Sequence, residues 1–262
     1  MEYLNADKIK DVLGRSIFSK NIIIHNSLTS TNSTAKELYK KGACDGTVVL
    51  AEEQTAGRGR MERQWLSPSN KNILVSILLK PEIKVEHIYS LTLALAVSGI
   101  DAVKKISGLS AMIKWPNDIY LNKKKLAGIL TEFSVRGKTP AYVILGMGMN
   151  VNWNPENEKN ILFSSTSVYN ETGKETSRNR LMAEVLKNFE IFYNDIKSEK
   201  MEEFNSRCNS LSLLTGTIVS VDTGDEIIKG RAVGIDRDGG LILEDEDGNI
   251  KKILNGDVSI RF

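Results

Sequence analysis

Between Gln54 and Trp65 the chain reads QTAGRGRMERQW, with Arg58, Arg60 and Arg63 set among Gly57 and Gly59 and a single acid, Glu62. Guanidinium forks bind carboxylates and phosphates bidentately, and glycines let a backbone close on a ligand. The stretch therefore suits an anion site, although charge runs are more often solvated loops. A second stretch, KWPNDIYLNKKKLAGIL from Lys114 to Leu130, holds a tight turn at Pro116, Asn117 and Asp118 that hairpin chemistry alone would explain. Lys125 is different, because it opens a strand that continues through Leu126, Ala127 and Gly128. A lysine on a strand is held more rigidly than one on a loop, and small neighbours allow close approach. The third stretch, Thr29 to Asn32, reads TSTN. It reads first as a helix N-cap cluster, and otherwise as hydroxyl and amide groups for a neutral polar ligand.

Several chemistries are disfavoured. The two histidines, His25 and His87, fall in separate elements, which leaves no basis for a histidine triad or a histidine-rich metal site. Cys44 and Cys208 are far apart and form no C-x-x-C pattern. No G-x-x-x-x-G-K-[ST] loop occurs, and GMGMN at Gly146 to Asn150 lacks the third glycine of a dinucleotide fingerprint. Trp153, Asn154 and Pro155 follow where a helix would have to open. The composition, 41% hydrophobic and 26% charged, is that of a folded globular chain of 262 residues. The N-terminus MEYLNADKIK has no apolar signal region, and no run approaches a membrane span, so a reducing cytoplasm is the expected location. A net charge of +2 conceals ten acids against six bases in residues 213 to 262, leaving the preceding body mildly basic. That body suits small anionic ligands and lacks the lysine and arginine density of a dedicated nucleic-acid surface.

These groups need elements to hold them. NADKIKDVL predicts a helix capped by Asn5, with Ile9, Val12 and Leu13 on one face. NIIIH and GTVVLAEEQ read as strands either side of a helix that begins in the TSTN cluster and closes at Gly42. A β-rich run ends at Pro81, and a helix apolar around most of its circumference follows it. AMIKW, IYL, KLAGILTEFSV and YVILGMGMNVN then form a meander. After a polar loop come two helices, the first carrying Leu181, Val185, Phe189 and Phe192 at helical spacing. From Leu213 short β-runs alternate with the turns DTGD, DRDGG and DEDGN, as in a small SH3-like barrel. The expected architecture is α+β: a catalytic domain over residues 1–212, with a mixed, mostly antiparallel sheet, and an SH3-like domain over 213–262.

In combination, STN before a helix, QTAGRGRMERQW, KWPNDIYLNKKKLAG, GMGMNVN and the closing GDVSIR resemble the biotin protein ligases, across essentially the whole chain. The resemblance implies a class II synthetase-like catalytic fold. It also implies formation of biotinyl-5′-AMP from biotin and Mg-ATP, then transfer of biotin to a lysine of a biotin carboxyl carrier protein. By the same resemblance Ser30, Thr31, Asn32 and Gln54 meet the ring system of biotin. Gly57, Arg58, Gly59 and Arg60 close over its tail and the phosphates, Arg63 and Trp65 help to shut the site, and Lys125 stands between the carboxylate and the α-phosphate. Gly128, Gly146, Gly148 and Asn150 line the ligands, Asn150 on the ATP side. Asn117 and Asp118 fall on the nucleotide and magnesium side, with Asp118 as the Mg²⁺ ligand. Lys125, Arg60 and Arg58 are the expected catalytic groups.

Many members of the family begin with a helix-turn-helix DNA-binding domain, whereas STN is reached here by residue 30, so the monofunctional form is expected. A homodimer is compatible with the resemblance. Residues 57 to 65 and the loop near 152 to 160 are expected to be mobile before ligand binds. Two rivals remain: a lipoate or octanoate protein ligase of the same fold, and a non-catalytic nucleic-acid-binding protein that uses the basic loop.

Overall fold

The computed structural model describes residues 2–158 and 164–259. Helix α1 (Ala6–Leu13) starts where the Asn5 side chain accepts from the amide of Lys8, and it buries Ile9 and Leu13. Val12 does not share that face as expected but is 37% exposed, because the helix rests on the core along a narrow stripe. Strand β1 (Ile22–Leu28), helix α2 (Thr31–Lys40), strand β2 (Thr47–Gln54) and strand β3 (Ile73–Leu79) follow. The largely buried helix is α3 (Ile88–Ser107), ended by Gly108 in the left-handed conformation. The meander is β4 (Met112–Lys114), β5 (Asp118–Leu121), β6 (Lys124–Arg136) and β7 (Thr139–Met149). Between β5 and β6 the turn residues Asn122 and Lys123 both take positive φ, 49° and 64°, the geometry of a two-residue hairpin loop.

These seven strands form one sheet in the order β1-β2-β3-β7-β6-β5-β4. β1 and β2 run parallel, as the intervening α2 requires, and the remaining pairs are antiparallel. The main core lies on one face, where α3 packs with α5 (Arg178–Lys197). A short helix, α4 (Val168–Thr172), precedes α5. On the opposite face α2 covers a small cluster of Ala35, Val49, Leu78, Tyr142 and Ile144. Since side chains alternate along a strand, the same face continues beyond Ile144 as Gly146 and Gly148, and there no helix covers it.

After α6 (Glu202–Ser210) the chain crosses β4, where the amide of Ile113 donates to Leu211 O and that of Leu213 to Ile113 O, both at 2.8 Å. It then builds β8 (Ile218–Asp222), β9 (Ile227–Ile235), β10 (Leu241–Glu244), β11 (Ile250–Ile253) and β12 (Asp257–Ser259). Their order is β11-β10-β9-β8-β12, antiparallel throughout, the arrangement expected of the SH3-like module. Among the described residues no pairing closes it into a barrel, a property that counting strands cannot reveal. Ile260 and Arg261 of GDVSIR, and residues 159 and 160 of the loop expected to be mobile, lie outside the described residues.

The two sheets share a hydrophobic core. Polar seams join them: Trp115 Nε1 donates to Gly239 O at 2.9 Å and Ser90 Oγ to Arg237 O at 2.7 Å. His87 is buried in this seam, its Nδ1 3.1 Å from Asp238 Oδ1. Among the described residues no helix is long and apolar enough to cross a membrane.

Candidate active site

The bare half of the sheet is the floor of a cavity of about 390 Å³. One cross-strand row runs Leu74, Gly148, Gly128 and Asp118, and the next runs Ser76, Gly146 and Leu130. Glycine is needed in both rows because other groups occupy the space above them. A Cβ on Gly146 would overlap the Asn32 amide oxygen, and one on Gly148 would overlap the Trp65 ring. On Gly128 it would sit 3.2 Å from both Lys125 Nζ and the Trp65 ring.

One wall is the start of α2. Ser30 stands at the N-cap position, but its hydroxyl makes no capping bond. Gln54, at the end of β2, does that work through Oε1, which accepts from the Thr31 amide at 2.7 Å and lies 3.0 Å from the Thr31 hydroxyl. Asn32 is held from three sides. Its Oδ1 accepts from Ser76 Oγ at 2.5 Å, and its Nδ2 donates to Glu132 Oε2 at 2.7 Å and to Leu130 O at 3.4 Å. Ser30, Thr31 and Asn32 are all buried and all line the cavity. This wall is rich in neutral donors and acceptors, and its geometry is fixed before any ligand arrives.

The opposite end is cationic. Lys125 Nζ lies 2.7 Å from Asp118 Oδ1 and 5.8 Å from the centre of the Trp65 ring. The arginine loop closes above, through a bond from the Gly59 amide to Arg63 O at 2.7 Å and another from the Trp65 amide to Gly57 O at 2.9 Å. Arg60 donates to Asn117 Oδ1 at 3.1 Å, to Asn255 Oδ1 at 2.6 Å and to Gly256 O at 3.1 Å. Arg63 meets Asp257 Oδ2 at 2.6 Å, and Arg58 donates to Ser33 Oγ at 3.2 Å with Glu132 3.7 Å away. Burial draws the Arg60 guanidinium below its ordinary range against the pull of Asp257 and Asp118. Lys114 is lowered in the same way, by burial first, with the same two carboxylates opposing. Four cationic side chains, Arg58, Arg60, Arg63 and Lys125, thus line the cavity together with two carboxylates, Asp118 and Asp257.

Of the residues singled out in the sequence, Ser30, Thr31, Asn32, Gln54, Arg58, Gly59, Arg60, Arg63, Trp65, Asn117, Asp118, Lys125, Gly128, Gly146, Gly148 and Asn150 all line this one cavity. Gly57 does not; it sits behind Trp65 and supports the loop. Asn150 borders the cavity with its amide already engaged, since Nδ2 donates to Thr166 O at 3.0 Å and Oδ1 accepts from Asn72 at 3.4 Å. The lining residues that were not singled out include Trp153, Ser165 and Asp257. GDVSIR was part of the resemblance and could have pointed to Asp257, whereas nothing local marks the other two. The buried indole N–H groups of Trp65 and Trp153 meet no acceptor among the described residues. Neither histidine lines the cavity.

The half-covered mixed sheet, the glycine floor and the arginine loop tied to a second β-module recur in known proteins. Residues 25–150 match the biotin/lipoate A/B protein ligase family, and residues 215–261 match the biotin protein ligase C-terminal domain. The bifunctional ligase/repressor BirA of Bacillus subtilis is 35% identical, over 98% of this chain and 79% of its own length. The biotin–[acetyl-CoA-carboxylase] ligase of Mycobacterium tuberculosis is 30% identical, over 88% and 86%. Among solved structures, the biotin protein ligase of Aquifex aeolicus in complex with biotin and ATP is 34% identical and superposes with a TM-score of 0.80, covering 92% of this chain and 99% of the other. The chain belongs to the biotin protein ligase family.

Proposed function

We propose that the cavity is where biotin and ATP react and that the chain joins biotin to a carrier protein in two steps. In the first, a biotin carboxylate oxygen attacks the α-phosphorus of ATP, the bond to the bridging oxygen breaks, and pyrophosphate leaves. In the second, the ε-amine of a lysine on a biotin carboxyl carrier protein attacks the carbonyl carbon of biotinyl-5′-AMP. AMP leaves, the amine loses a proton, and an amide forms.

The reading is carried by the way the cavity separates two chemistries. Asn32 stands over Gly146 on β7, whereas Lys125 meets Asp118 on β5, two strands away. At the usual strand spacing that is about 10 Å. A ligand with a neutral hydrogen-bonding head and a carboxylate tail fits this layout, and the ureido ring and valeryl chain of biotin are such a ligand. Ser30, Thr31, Asn32 and Gln54 take the ring. Arg58, Arg60 and Lys125 take the carboxylate and α-phosphate, two anions that repel one another until cations screen them. Arg63, Trp65, Asn117 and Asn150 border the nucleotide. The unfilled indole donors of Trp65 and Trp153 have acceptors once a ligand rich in oxygen is in place.

The donor set suits Mg²⁺ that arrives with ATP. Among the described residues the one cluster of three metal-capable side chains is Glu86, His87 and Asp238, none of which borders the cavity. Asp118 supplies one carboxylate, and one carboxylate with phosphate oxygens and water is how this ion is commonly held. When bound, Mg²⁺ neutralises charge on the phosphate oxygens. A reaction that draws on ATP and a carrier protein is compatible with the cytoplasm.

The test is to incubate the protein with Mg-ATP and biotin, lipoate or octanoate in turn and to identify the bound acyl-AMP by mass spectrometry. Biotinyl-AMP alone is expected. A lipoyl or octanoyl adenylate in its place would overturn the assignment.

A further inference from the structure

Lys125 is held by more than its own strand. Its amide donates to Ser164 O and its carbonyl accepts from the Thr166 amide, both at 2.9 Å, so residues 164–166 lie beside it as a short parallel partner. A turn precedes it in sequence, Asn122 and Lys123, whose two positive φ angles are an unusual choice for a lysine. The β5–β6 register slips just here: Tyr120 pairs with Lys125 but Ile119 with Ala127, which leaves Leu126 as the extra residue of a bulge. Bulges re-aim the side chains beside them and need support from outside the ladder.

One carboxylate reaches both flanks. Glu171, on α4, accepts from Thr166 Oγ1 at 2.5 Å through Oε1 and from Asn122 Nδ2 at 2.6 Å through Oε2. Thr166 is fully buried, and its carbonyl is further fixed by Asn150 Nδ2 at 3.0 Å. Glu171 itself does not line the cavity. Its helix is anchored independently, with the Asn170 amide donating to Ser167 Oγ at 3.0 Å and Ser167 Oγ lying 2.5 Å from Trp153 O. A fixed helix therefore presents a two-toothed acceptor to the segment on either side of the lysine.

We infer that Glu171 is a positioning residue for the ligation: by bridging Asn122 and Thr166 it sets the backbone from which Lys125 Nζ is aimed at the reacting carboxylate and phosphate. The inference rests on the role given to Lys125 above. Ionised, Glu171 is an acceptor at both oxygens, which suits two donors approaching from opposite sides. Hydrogen bonds to a charged acceptor are the stronger kind, so the bridge stiffens the turn and the partner segment together. A shift of about 1 Å in a catalytic group can cost on the order of a hundredfold in rate without weakening binding. That is the signature to look for.

The test compares Glu171→Ala and Glu171→Gln with wild type. Active sites are titrated by the burst of biotinyl-AMP, so that misfolded protein does not count. Glu171→Ala is expected to lower kcat for adenylate formation per active site by about tenfold to a hundredfold, with KM for biotin and ATP within about twofold. Hydrogen exchange at the amides of Lys125 and Thr166 is expected to quicken. Glu171→Gln keeps both contacts, because the Thr166 hydroxyl can turn to accept from the new amide, and it is expected to restore both readouts. A Glu171→Ala enzyme with wild-type kcat per active site, or with unchanged exchange at both amides, overturns the inference. Wild-type adenylation by Lys125→Ala would overturn it through the lysine instead, and the exchange data, which need no turnover, tell the two failures apart.

Discussion

Arg63 Nη2 lies 2.6 Å from Asp257 Oδ2, so the loop over the cavity is tied to a strand of the C-terminal sheet. Both side chains are more than a third exposed, and such a pair alone adds little to stability. Its consequence is positional, because Arg60 grips Asn255 and Gly256 in the same turn. The C-terminal module thus holds the lid of a cavity whose floor belongs to the other sheet. Asp257→Asn keeps the shape and removes the charge. Bound biotinyl-AMP is expected to escape or hydrolyse several-fold faster, with the melting temperature little changed. An adenylate lifetime equal to wild type at low salt would count against a latch.

Lys125 and Asp118 are both mostly buried, and their contact is the shortest between opposite charges on the cavity floor. Lys125→Met keeps an unbranched apolar side chain in place and deletes the charge. Adenylate formation is expected to fall about 10²- to 10³-fold, the usual loss for one positioned donor to a developing oxyanion. Biotin affinity should change little. Pyrophosphate exchange reads the first quantity and calorimetry the second; exchange near the wild-type rate would remove Lys125 from the mechanism.

The floor glycines are not equivalent. A methyl on Gly148 meets Trp65, whose indole N–H has no acceptor among the described residues, whereas one on Gly146 meets Asn32, pinned by Ser76, Glu132 and Leu130. Gly146→Ala is therefore expected to weaken biotin binding by more than Gly148→Ala. Overpacking at a fixed site costs about 1 to 3 kcal/mol, or roughly fivefold to 150-fold in affinity. Calorimetric titration of both variants decides it, and equal affinities would show that Asn32 yields as easily as Trp65.

What could be read from the sequence was whatever is local. The meander and the strand-borne lysine follow from the β-rich runs themselves. Contacts made across long separations were not legible. Asp257 reaches Arg63 from 194 residues away, and it does so because Trp115 docks on Gly239 and seats the second sheet. Gln54, and not Ser30, caps α2, since folding brings the end of β2 beside that helix. The engaged amide of Asn150 is similar, for its acceptor Thr166 belongs to a segment with no strong periodicity of its own.

Tyr120 supplies a pH test. Burial first, then Asp118 and Asp257, push its hydroxyl up to about 12. The folded protein therefore keeps a proton that the unfolded chain loses near pH 10, and stability contributed by the neutral phenol is complete below that pH. It drains away between about 10 and 12, by up to about 3 kcal/mol. Tyr120→Phe should flatten this part of a denaturant-midpoint curve against pH. Superimposable alkaline limbs for the two proteins would show that the phenol is not the group responsible.

Arg178 and Glu52 form a buried pair at 2.6 Å, with side chains 1% and 3% exposed. Each partner is bonded further: Arg178 also donates to Asn72 O at 3.1 Å and Glu2 O at 2.6 Å, and Glu52 accepts from the Leu4 amide at 2.6 Å. It thereby fastens the N-terminal segment and the start of α5 to the far side of β2, two residues before Gln54. Arg178→Met leaves the Glu52 charge buried with one partner lost, at a cost of about 3 to 5 kcal/mol. The double variant Arg178→Met with Glu52→Leu should recover much of that, because no uncompensated charge remains. Urea unfolding of the three proteins checks the order, and a single variant as stable as wild type would mean that the carboxylate finds water in the folded state.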